Sequence, residues 1–147
     1  MKTIYTFLTL IFLTFVQTSN AQTTEEQIIG TWIFNYETSF STMEDEVKTQ
    51  YNAMPEQERV KMESAYRGRK ITLDSNKNFT QILANGIKSL GMWVLTDTDY
   101  LKITTPTGIV FTYKIKTLTP TTLNLILDSD SGVKALIPDL HFTKLQN

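Results

Sequence analysis

The sequence predicts an all-β fold with a small helical insert: eight antiparallel strands in up-and-down order, closed into a barrel, with two short helices between strands 1 and 2. Three observations lead there. From residue 70 onward, short segments alternate apolar and polar side chains and are joined by turn-rich connections. Helix-type composition is confined to one stretch, about residues 41–67. The strand before that stretch carries three aromatic side chains on one face, a surface that other elements must cover.

That first strand is residues 28–36, IIGTWIFNY. Strand side chains alternate, so Gly30, Trp32, Phe34 and Tyr36 share one face while Ile29, Thr31, Ile33 and Asn35 share the other. Glycine weakens a strand unless a close neighbour needs its space, and the neighbour expected at Gly30 is an indole. Trp32 then reads as a core tryptophan. After Tyr36 the composition shifts. Residues 41–67 are rich in Glu, Lys, Gln and Met and contain no glycine. Met43, Val47, Tyr51 and Met54 recur at near-helical spacing. Pro55 fits the first turn of a second helix, where its missing N–H is not needed. Met62, Ala65, Tyr66 and Arg69 continue one face, with Gly68 as the stop.

Strands then follow one another. Residues 70–74 place Ile71 and Leu73 together, and residues 75–78 (SNKN) are a turn by composition. Residues 79–84 lead into Asn85-Gly86, a hairpin signal. Residues 89–96, 100–105 and 109–116 continue the series; in the last, Ile109, Phe111, Tyr113 and Ile115 face one way. Residues 122–128 align Leu123, Leu125 and Leu127, and residues 140–145 close the chain. Sequential antiparallel strands of this number favour a closed barrel, which leaves no free edge. A two-sheet sandwich is the alternative. An outer-membrane barrel needs the reverse pattern, because here Lys102, Lys114 and Lys116 lie on one face and the apolar side chains on the other.

Residues 1–21 read as a signal peptide: Lys2, an apolar run over residues 4–16, then the small residues Ser19-Asn20-Ala21 at the cleavage position. The run is short and interrupted by threonine, so a retained anchor is the lesser reading. A single barrel domain, residues 22–147, remains. The chain has no cysteine, which excludes both lipid attachment behind the signal and a disulfide framework. An exported protein, periplasmic or extracellular in a bacterium and not lipid-anchored, is expected, with no membrane span once the signal is removed. Lys and Arg number 14 against 15 Asp and Glu, scattered along the chain, so no nucleic-acid partner is expected. The protein is expected to be a monomer without cofactor or metal.

With Gly30-Thr31-Trp32, "GMWVLTDTDYLKI" (residues 91–103) and the closing "HFTKL" (residues 141–145), the chain resembles the bacterial lipocalin-like domains, distant relatives of the lipocalins with calycin-type barrels. The resemblance implies a barrel, structural roles for Gly30 and Trp32, and a small apolar ligand. Lipocalins proper carry a last-strand arginine across the first-strand tryptophan. Lys144 is the cation available for that place, and the resemblance implies a cation–π contact with Trp32.

Connectivity separates the two ends of such a barrel. The turns near residues 75–78, 97–99 and 118–120 share one end; the helical insert, Asn85-Gly86, residues 106–108 and residues 128–131 share the other. Both long connections fall on the second end, where a barrel of this size admits a ligand. Trp32, Leu73, Phe79, Leu95, Leu123 and Phe142 are expected in the floor. Phe34, Tyr36, Ile71, Leu83, Ile103, Phe111 and Leu127 are expected to line the upper interior, with Met54, Met62 and Tyr66 closing over it. An interior filled by its own side chains is the equal alternative.

Reactive constellations are sparse. His141 is the single histidine, which leaves no nucleophilic triad and no zinc ligand set. Residues 128–132 (DSDSG) resemble a calcium loop, but the glycine comes one position early. Asp97 and Asp99 read as turn residues rather than as an acid–base pair. The expected function is therefore non-enzymatic binding of a small hydrophobic molecule inside the barrel. The alternative is a protein-interaction or inhibitor module with a solid barrel, acting through its helical insert and loop rim.

Overall fold

The computed structural model describes residues 23–97, 99–128 and 136–146. The proposed signal peptide, its cleavage point and most of the calcium-like loop at residues 129–132 lie outside them. The chain begins with α1 (Thr24–Ile28), opened by a capping box in which Thr23 and Glu26 exchange hydrogen bonds. The first strand, β1 (Gly30–Phe34), follows. Next come α2 (Tyr36–Ser41), α3 (Asp45–Ala53) and α4 (Glu56–Tyr66). Seven further strands complete the chain: β2 (Lys70–Leu73), β3 (Asn78–Ile82), β4 (Lys88–Thr96), β5 (Tyr100–Thr104), β6 (Val110–Leu118), β7 (Thr122–Leu127) and β8 (Asp139–Lys144).

The eight strands form a closed antiparallel barrel in sequence order, and β1 pairs with both β2 and β8. This is the all-β, lipocalin-like barrel that the strand count and connectivity predict. Closure is legible in one register: Trp32 stands opposite Ile71 on one side and Lys144 on the other. A register shift between Ile115 and Thr117 relieves the pairing of β6 with β7.

The insert differs from expectation. Three helices, not two, lie between β1 and β2, and they start at Tyr36 rather than near residue 41. The cause is Asn35, whose side-chain oxygen accepts from the Thr38 N–H at 3.1 Å and caps α2. The strand therefore stops at Phe34. Pro55 stands just outside α4 as its N-cap residue. Gly68, at φ +72, ends the insert and sends the chain into β2.

One end of the barrel is packed solid. Trp32, Trp93, Leu73, Leu101 and Leu123 are completely buried there, and Ile28 of α1 closes the end beneath them. The Trp32 Nε1–H donates to the Ile28 carbonyl at 2.8 Å, which fixes the indole and α1 together. Trp93 is anchored likewise, by donation to the Asp74 carbonyl at 3.1 Å and by Lys77 4.2 Å from its ring centre. The helical insert lies at the opposite end, with α2 packed against β8. There the buried Ser39 hydroxyl of α2 accepts from the His141 N–H of β8 at 2.9 Å.

Candidate functional site

The inward parity of the strands leaves a cavity of about 320 Å³ in the half of the barrel beneath the insert. That is the low end of the range usual for small-molecule sites, ~300–1,000 Å³. Its wall is drawn from β2 to β8: Ile71, Phe79, Gln81, Ser89, Leu90, Ile103, Thr105, Phe111, Tyr113, Leu125, Leu140 and Phe142, together with Arg69 just before β2. Ser89 and Leu90 are exposed, so the cavity meets solvent on that side. Apolar and aromatic surface dominates the wall, with a few polar groups set into it.

Of the residues expected to line the interior, Ile71, Ile103 and Phe111 are on this wall. Phe34 is buried beside it, with its ring 5.4 Å from that of Phe142. Leu83 and Leu127 are half-buried at the ends of their strands and off the wall. Tyr36 is not in the barrel at all: as the first residue of α2 it stacks on Phe40 at 5.4 Å within the insert. Met54 and Met62 are half-buried in the insert and also off the wall. Tyr66 reaches down from α4, its ring 5.8 Å from that of Phe34. Phe79 and Phe142, expected in the floor, line the cavity instead.

The residue that sequence reasoning missed is Arg69. Reading it as a continuation of the helical face hid its position. Because Gly68 stops the insert, Arg69 leads directly into β2, its carbonyl accepting from the Phe34 N–H at 2.9 Å, and two residues before Ile71 and four before Leu73 it points inward with them. Its Nε is buried without a hydrogen-bond partner. The guanidinium lies 5.5 Å from the Phe34 ring centre and 5.9 Å from those of Tyr66 and Phe142. Burial pushes its pKa down, opposed by Tyr113 and Tyr66 nearby. Burial pushes the Tyr113 hydroxyl up, opposed by Arg69. Arginine still keeps its proton in such a setting.

The structural trio sits at the packed end. Lys144 lies over the Trp32 ring at 4.9 Å and donates to the Gln27 carbonyl at 2.8 Å. Gly30, at φ +145, leaves room not for an indole but for the stem of Lys144: a Cβ there would meet Lys144 Cε at 2.5 Å. A second polar cluster lies in the insert. The Tyr51 hydroxyl donates to Glu63, Tyr36 lies 3.4 Å from Tyr51, and Arg67 sits over the Tyr36 ring at 4.3 Å while pairing with Glu37 at 2.5 Å. Every group in that cluster has a partner; Tyr36, Glu37 and Arg67 border a shallow surface pocket that also touches Phe34 and Thr143 of the barrel.

Fold and site together define an eight-stranded lipocalin-like barrel, solid at one end and hollow at the other. No protein-family model, curated protein or solved structure matches the chain. No helix among the described residues is long and apolar enough to cross a membrane.

Proposed function

We propose that the protein is an exported, non-enzymatic binding protein of the bacterial lipocalin-like kind that takes a small hydrophobic molecule into its barrel. The observation that carries this reading is the cavity of about 320 Å³ beneath the insert, walled by Ile71, Phe79, Ile103, Phe111 and Leu125. A wall of this composition gains from removing apolar ligand surface from water. The signal-like residues 1–21 and the lack of cysteine support export without a lipid anchor. Native mass spectrometry of protein purified from its own host tests the reading, and a co-purifying lipid-like mass is the expected result. Persistent absence of such a mass, with no response to an apolar fluorescent probe, counts against it.

One observation favours a second reading, a protein-interaction module. Met92 and Val94 of β4, on either side of the buried Trp93, are exposed on the outside of the barrel. An exposed apolar pair of this kind is a feature of interaction surfaces.

A further inference from the structure

We propose that the molecule held in the barrel is an anionic amphiphile, its carboxylate seated on Arg69 and Tyr113 and its apolar part against Phe79, Ile103 and Phe111. The proposal rests on the reading of the cavity as a ligand site and specifies the chemical class that fits it.

The cavity wall carries one formal charge, that of Arg69, and no carboxylate. Buried arginines are almost always paired, because an ionised group taken out of water without a partner is strongly disfavoured. Among the described residues Arg69 makes no ion pair and its Nε has no hydrogen-bond acceptor. Its close neighbours are the rings of Phe34, Tyr66 and Phe142. Their faces attract the cation but leave its N–H donors unused.

Tyr113 shares the wall, and no hydrogen bond from the described residues acts on its hydroxyl. A guanidinium fork and a phenol on one wall therefore present donors without acceptors. A carboxylate supplies what is missing, since its two oxygens match the fork and its single charge matches the single cation. A phosphate monoester would bring close to two negative charges against one cation. A neutral ligand would leave the arginine buried and unpaired.

The test compares two probes on the full mature chain: 11-(dansylamino)undecanoic acid and its methyl ester, titrated by fluorescence. The acid is expected to bind about tenfold or more tightly than the ester, the scale of a charge-assisted hydrogen bond. In Arg69→Met that preference should vanish while the ester still binds, and in Tyr113→Phe it should shrink by a smaller factor. Equal binding of acid and ester to the unaltered protein overturns the anionic class and leaves the hydrophobic pocket standing. Binding of neither probe overturns both. The comparison of acid with ester uses unaltered protein, so it decides the matter even if a variant fails to fold.

Discussion

Lys144 and Arg69 are both partly buried cations in one barrel, and their surroundings set them apart. Lys144 fills the space that Gly30 leaves, lies over Trp32 and donates a hydrogen bond to the Gln27 carbonyl, so its charge is accommodated although burial lowers its pKa. Arg69 has rings around it and no acceptor at Nε. The first arrangement serves the fold; the second strains it. Removing a buried charge that lacks a partner is commonly neutral or stabilising, and a site built for a ligand often lowers the stability of the empty protein. Arg69→Met should therefore melt at the same temperature as the unaltered ligand-free protein or higher, as followed by calorimetry. A fall of several degrees would mean that the arginine is there to hold the barrel together. Gly30 and Trp32 were legible as a pair because glycine and tryptophan two residues apart carry a local steric meaning. The neighbour that fills the space at Gly30 is Lys144 rather than the indole, however, and Lys144 itself was suggested only by the resemblance to the lipocalins. Arg69 was hidden because its spacing from Met62, Ala65 and Tyr66 also fits a helix, and only the break at Gly68 sets it in line with β2.

Among the elements, the insert is the least like its sequence reading. Composition reveals helices but not where the first begins, because Tyr36 satisfies the alternation of a strand as well as it starts α2. The decision lies with Asn35, a cap that competes with strand continuation through one hydrogen bond. Within the insert, α2 and α3 bury Tyr36 and Tyr51, whereas α4 has no buried residue and is tied in by polar contacts, Glu63 linking it to Tyr51 of α3 and to Arg67. Donation from the Tyr51 hydroxyl, aided by Arg67, holds the Glu63 carboxyl below its ordinary pKa. A carboxylate lowered in this way stabilises the fold fully above its unfolded value, ~4.3, and less as pH falls through the lower folded value. The Glu63 side chain is 35% exposed, so solvent screening keeps the effect below ~1 kcal/mol. Urea midpoints of the unaltered protein and Glu63→Gln should differ most at pH 6 and converge toward pH 3. A difference that stays constant over that interval would remove the carboxylate from the account.

At the scale of the whole molecule, the closed wall and its asymmetry have different origins. Eight alternating segments with mostly short connections dictate the order of pairing, and pairing β1 with β8 satisfies both remaining edges. Closure could thus be read from the chain. The long connections also point to the insert end as the open one. Whether any space remains there could not be read, because inward side chains from all eight strands alternate at both ends and only their packed volumes decide it. The two tryptophans decide it: Trp32 and Trp93 both point into the end that α1 closes, and the other end keeps the space they would have taken. The same truncation should therefore act differently at the two ends. Trp32→Ala opens a void in close-packed surroundings and should cost about 3–5 kcal/mol in denaturant unfolding. Phe111, half-buried on the cavity wall, removes a face that already borders open space, so Phe111→Ala should cost less than Trp32→Ala while widening the room for ligand. Apolar-probe titration beside the unfolding curves checks both halves of this expectation. If Phe111→Ala destabilises the protein as much as Trp32→Ala and admits no larger probe, the cavity closes in solution and the barrel is solid from end to end.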